Sequence, residues 1–163
     1  MSRRRRRTEG RAAGLLRAAA AIGLLNAAPN LYWAFGGDRL LETIGMWLVE
    51  LRADSPTMVG IALVMVTAVK IGVSVLPLLL RGPLRRRRFG WWAAVGASAG
   101  LILYGAGGAA VNTALLILTA VEDPTARVGQ AAIWYPMLLV WGIVLARGLH
   151  LLHRSAPCAG ETS

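Results

Sequence analysis

Four stretches of this chain are long and apolar enough to cross a lipid bilayer, and nothing else in it constrains the fold as strongly. A membrane-spanning helix takes about 20 mostly apolar residues, because about 30 Å of hydrocarbon is crossed at about 1.5 Å per residue. The stretches run from about 18 to 36, 56 to 80, 91 to 120 and 131 to 152. The first is the most polar, with Asn26, Pro29 and Asn30 among its alanines. The third exceeds one crossing, which predicts tilt or protrusion. The chain is 56% hydrophobic and 16% charged, whereas soluble domains average about 45–50% apolar and about 25% charged. Backbone polar groups in hydrocarbon must be satisfied within the chain, and apolar runs of this length do so as helices. The fold class expected is all-α: an integral membrane four-helix bundle.

Residues 38–55, between the first two stretches, are too polar to span. Leu40, Leu41, Ile44, Trp47, Leu48 and Leu51 recur at helical spacing, which predicts one short amphipathic helix on the outer face, lying on the membrane surface or capping the bundle. Pro56 then opens the second span at a tolerated first-turn position. Charge sets the orientation. Fourteen of the 18 basic residues fall on one side of a four-span chain: the arginines at 3–7, Arg11, Arg17, Arg81, Arg85, Arg86, Arg87, Arg88, Arg147 and Arg154. The other side carries Arg39, Arg52 and Arg127 with six of the eight acids. Basic loops stay cytoplasmic. The expectation is a multi-pass protein of a bacterial cytoplasmic membrane, with residues 1–17 and 153–163 as cytoplasmic tails. A cleaved signal peptide is the weaker reading of the N-terminus, because no A-x-A site follows the apolar run near Ala28. A net charge of +10 is thereby a topology signal, with the bilayer and anionic lipid head groups as the partners of Arg85, Arg86, Arg87 and Arg88. It argues against nucleic acid, for which no folded module is present.

Lys70 is the most informative residue. It lies roughly 10 to 12 residues from either end of its span, about 15–18 Å from water, and a lysine stem reaches roughly 6 Å. An unpaired charge at that depth costs at least about 2.5–3.5 kcal/mol, and the spans hold no acid to pair with it. Thr67, Lys70 and Ser74 share one helical stripe, as do Asn26 and Asn30 in the first span. Asn26, Lys70 and Tyr104 fall at similar depth, so a polar midplane layer is expected, as a ligand pocket or relay on one reading and a structural hub on the other. Gly96, Gly100 and Gly107 lie on a small-residue stripe of the third span, expected to pack helices within the monomer, with a dimer interface as the alternative. His150 and His153 lack further metal ligands, and the single Cys158 has no partner for a disulfide. No metal, cofactor or catalytic group is expected.

The first span ends Asn30-Leu-Tyr32-Trp33-Ala-Phe-Gly36-Gly37, and the last begins Trp134-Tyr135-Pro136 and continues through Trp141-Gly142. With four spans and basic inner loops, this resembles a family of small uncharacterised bacterial membrane proteins, domain of unknown function 3995, from about Leu24 to Arg147. The resemblance implies membrane location and no known activity. The functional expectation is a non-enzymatic membrane protein that binds a lipid or small molecule, or supports a partner protein or second copy, around Lys70. The alternative is a transporter or channel subunit moving an anion or proton via Lys70. It lacks the membrane-embedded Glu of four-helix proton-coupled exporters.

Overall fold

The computed structural model describes residues 3–79, 88–119 and 122–154, and among these every regular element is helical. Helix α1 runs Arg3–Ala34, α2 Met46–Asp54, α3 Pro56–Leu79, α4 Arg88–Leu118, α5 Pro124–Gly129 and α6 Tyr135–Arg154. A π-helical stretch, Gln130–Trp134, joins α5 to α6 in one rod. Four rods are long and apolar enough to cross a membrane: Arg6–Ala34, Pro56–Leu79, Phe89–Leu118 and Pro124–Arg154. The molecule is thus all-helical and compatible with a multi-pass membrane protein.

Two boundaries differ from the sequence expectation. The first helix starts well before residue 18, and Ala12 and Leu16 are fully buried. Ala12, Leu16, Ala19 and Ala20 are spaced as one helix face, and that face packs on α6, where Leu16 lies against Gly148. The last rod begins at Pro124 instead of 131. Asp123 caps it by accepting the Ala126 N–H at 3.0 Å, with Pro124 in the first turn, where its missing N–H is harmless.

Around the bundle the order is α3, α1, α6, α4. Helix α1 packs on α3 and α6, and α6 packs on α1 and α4, whereas α3 and α4 barely touch. The bundle is open along that side. At the end that carries both chain termini, Ala12, Leu16, Ala94, Trp141, Leu145 and Leu149 form a closed core. Glycines set its helix separations. A Cβ on Gly142 would stand 2.9 Å from Ile102 N, and one on Gly105 2.5 Å from Leu139 N. Neither distance leaves room for a side chain, so α4 and α6 approach backbone to backbone.

The stripe expected to do this does not. A Cβ on Gly96, Gly100 or Gly107 would meet nothing within 4 Å. Helix α4 buries Ala94, Ser98, Gly105 and Asn112 instead, at spacings of four and seven that define the opposite face. Small residues permit close packing on either face, and the position of α6 selects one.

The 38–55 segment is not one helix. Leu40 is left-handed at φ 64° and Gly45 takes φ 148°, so the chain makes a 3-10 turn at Leu41–Thr43, breaks, and restarts as α2. Leu41 and Leu48 are buried against Trp33 and Val59, while Leu40 and Trp47 are exposed. This segment caps the end opposite the chain termini.

Candidate functional site

A cavity of about 600 Å³ lies under the cap, at the open α3/α4 edge. Helix α3 supplies one wall with Met58, Val59, Ala62, Leu63, Val66 and Lys70, positions that follow helical periodicity over three turns. Helix α1 contributes Asn26, Asn30 and Trp33; the cap contributes Ile44, Trp47, Leu48 and Leu51. Tyr104 comes from α4, and Gln130, Trp134, Tyr135 and Leu138 from the last rod. The volume falls within the roughly 300–1,000 Å³ typical of small-molecule sites, and an apolar wall with a few polar groups is their usual composition.

Lys70 is half-buried in this wall, and its Nζ donates to the main-chain oxygen of Asn26 at 3.2 Å. Pro29 sits in the same turn of α1 and removes the hydrogen bond to Leu25 O, which loosens the local ladder. The expected meeting of Lys70 and Asn26 therefore occurs, but through a carbonyl and not the carboxamide. Asn26 Oδ1 is buried and has no hydrogen-bond partner among the described residues, and the same holds for Trp141 Nε1. Asn30 is buried in the wall one turn further on. None of the residues lining the cavity is Asp or Glu, so Lys70 is its one formal charge.

Tyr104 shares the cavity but does not complete a compact polar layer. It is 62% exposed, and its ring stands edge-on to Tyr135 with centroids 5.2 Å apart. Thr67 and Ser74 are buried on the Lys70 stripe as expected, yet neither lines the cavity. Their hydroxyls donate to their own helix, Thr67 to Leu63 O and Ser74 to Lys70 O, both at 2.7 Å. Back-bonding of this kind is the local alternative open to any helical Ser or Thr. Ser74 also lies over Gly23, so its place is in the α1–α3 contact.

The aromatic lining is the part the sequence understates. Trp134 and Tyr135 carry the signature of interfacial anchors, but both line the cavity. Trp33 and Trp134 meet edge to face with centroids 5.4 Å apart. Their indole N–H groups are tied to the cap: Trp33 to Arg39 O at 2.8 Å and Trp134 to Thr43 Oγ1 at 2.9 Å. With the donors satisfied there, these indoles offer the cavity only apolar faces.

Side chains from distant parts of the chain hold the cap. Gln130 Nε2 donates to Ile44 O at 2.5 Å. The Arg52 guanidinium donates to Gly36 O at 2.6 Å and to Gly37 O. Asp123 accepts the N–H of Met46 at 3.0 Å in addition to that of Ala126. These two backbone donors, Ala126 first and Met46 second, hold its carboxyl below the usual carboxylate range. Arg127 donates to Asn112 Oδ1 at 3.0 Å and links α5 to α4. The fold thus satisfies the polar backbone of an irregular segment with side chains, as a segment outside helices requires.

Arg85, Arg86 and Arg87, expected at lipid head groups, lie outside the described residues, and of Arg88 only the backbone is described. His153 packs on Trp91 with ring centroids 5.6 Å apart. Among the described residues, no three His, Cys, Asp or Glu side chains cluster as a metal site would require.

No curated protein matches the chain. No solved structure matches it either. A family model does match, over residues 23–145, a range that takes in every residue lining the cavity. The chain belongs to that family, described as protein of unknown function (DUF3995).

Proposed function

We propose that this is a multi-pass protein of a bacterial cytoplasmic membrane, with both termini inside, that binds a lipid or small molecule in the cavity beside Lys70 without transforming it. The carrying observation is the Lys70 ammonium set in a mostly apolar and aromatic wall, with a main-chain carbonyl as its protein partner. An ionisable side chain held at that depth signals function by default, because an apolar residue would be far less costly there. The basic arginine runs before the first span and between the second and third support the orientation. They also suit contact with anionic head groups.

Transport of an anion or proton through Lys70 is the second reading. It needs a path through the terminal half, which Leu16, Trp141 and Leu145 fill. Binding is therefore preferred. Native mass spectrometry of the detergent-purified protein tests it. The expected result is a small-molecule adduct that Ala62→Phe, which puts a ring into the cavity, weakens or removes. A wild-type spectrum free of adducts across a panel of added lipids and apolar small molecules would overturn it. Flux in proteoliposomes that depends on Lys70 would replace binding with transport.

A further inference from the structure

The cavity's shape, charge and opening narrow its ligand further, on the reading that it is a binding site. We infer that it takes a free, single-chain carboxylate, with the carboxylate on Lys70 Nζ and the apolar tail lying along α3 toward the cap. Charge selects the head. One ammonium lines the wall with no acid beside it. A monoanion neutralises that charge, a phosphate dianion leaves an uncompensated negative charge in an apolar site, and a neutral carbonyl leaves the lysine charged. A carboxylate also accepts a short charge-assisted hydrogen bond from an ammonium that already has a carbonyl as one acceptor.

Geometry selects the tail. From Lys70 the lining of α3 runs through Val66, Leu63, Ala62 and Val59 to Met58. That is 12 residues, or about 18 Å of helix, with no polar side chain after the lysine. Such a wall suits one extended chain.

The opening selects a molecule that arrives from the side. Val66 on α3 is 46% exposed and Tyr104 on α4 is 62% exposed, although both line the cavity. They stand on the two helices that barely touch, so an apolar molecule dissolved in the bilayer has lateral access between them. A leaflet phospholipid lying in the groove would place its head at a helix end. Here the cation is mid-helix and the apolar lining runs from it toward the cap, the reverse of leaflet polarity, which favours a free acid over a structural lipid.

Three tryptophans in the wall, Trp33, Trp47 and Trp134, provide the readout. The full chain in detergent is titrated with brominated hexadecanoic acid and, separately, with its methyl ester, and quenching of tryptophan fluorescence is followed. The acid is expected to bind about tenfold or more tightly than the ester, the factor that a charge-assisted hydrogen bond supplies. Lys70→Met is expected to reduce the acid to the ester's affinity, and Lys70→Arg to keep the preference. Equal saturable binding of acid and ester by the unmodified protein overturns the carboxylate and leaves the cavity reading standing. So does an acid preference that survives Lys70→Met. Absence of saturable quenching by both ligands overturns the single-chain ligand, and the adduct panel then decides the wider binding reading. The acid–ester comparison in the unmodified protein decides even where Lys70→Met fails to fold.

Discussion

The two ends of this molecule solve the same packing problem in opposite ways. At the terminal end, α1, α4 and α6 close on a core of alanine, leucine and Trp141, with glycines setting backbone-to-backbone contacts. At the cap end, an irregular connection is held by hydrogen bonds from side chains up to 91 residues away in sequence, and a cavity remains beneath it. Helices satisfy their own backbone, so their faces are free to pack dry. A non-helical segment needs external donors and acceptors. Gln130, Arg52 and Asp123 meet that need, and Trp134 adds a bond to the Thr43 hydroxyl. The closed half is filled by its core, and the open half keeps a cavity.

The largest test of this contrast pairs two core-sized truncations. Leu145→Ala removes a fully buried side chain from the closed half and is expected to destabilise by about 2–5 kcal/mol. Val66→Ala, on the exposed cavity wall, is expected to change stability by less than about 1 kcal/mol. Thermal unfolding in one detergent checks both, and equal losses would erase the distinction between the halves.

A smaller effect is expected at the cap. Arg52→Met deletes both guanidinium bonds to Gly36 and Gly37 and is expected to cost about 1–2 kcal/mol. The change is local, so hydrogen exchange should accelerate in 36–54 while the terminal core keeps its protection. Uniform acceleration would show that the two halves unfold as one unit.

Acid should act on the same strap. Asp123 has its carboxyl held below the ordinary range by the Ala126 and Met46 N–H groups. A depressed folded-state value means that its contribution is present above the ordinary carboxylate pKa and is lost as pH falls through the folded value. Exchange at Met46 and Ala126 should therefore rise only below the ordinary range, and Asp123→Asn should show raised exchange with no such step. A pH step unchanged in Asp123→Asn would assign it to another group.

The smallest effect is expected on the open face of α4. Gly100→Ala adds a methyl where nothing lies within 4 Å and removes a helix-interior glycine, so it should be neutral or stabilising by up to about 1 kcal/mol. Gly105→Ala, set against Leu139 N, should be destabilising. Opposite signs in one helix would confirm which face packs.

Much of the candidate site was legible before any coordinates. Lys70 stands out because a charge in an apolar run demands an explanation, and its level opposite Asn26 follows from counting residues along two spans. What counting misses is the atom that receives it: the Asn26 carbonyl, beside a proline that loosens its turn. Thr67 and Ser74 share the lysine's stripe, but a hydroxyl chooses between a neighbour and its own helix only once the neighbour's distance is set. Trp134 shows the same limit. A tryptophan near the end of a span reads as a membrane anchor, and only the bond to Thr43 and the edge-on contact with Trp33 make it a cavity wall.

By itself, the sequence determined four apolar helical rods, a polar connection between the first two, and one lysine out of place. These depend on hydropathy and helical periodicity, which are local properties of the chain. Only the tertiary structure decided that α3 and α4 stay apart while α1 and α6 fill the middle. That order depends on which faces approach closely enough, and Gly105 and Gly142 are used where Gly96 and Gly100 are not. Small residues allow contact on any face; the summed fit of all four rods selects one, and with it the side on which the cavity opens.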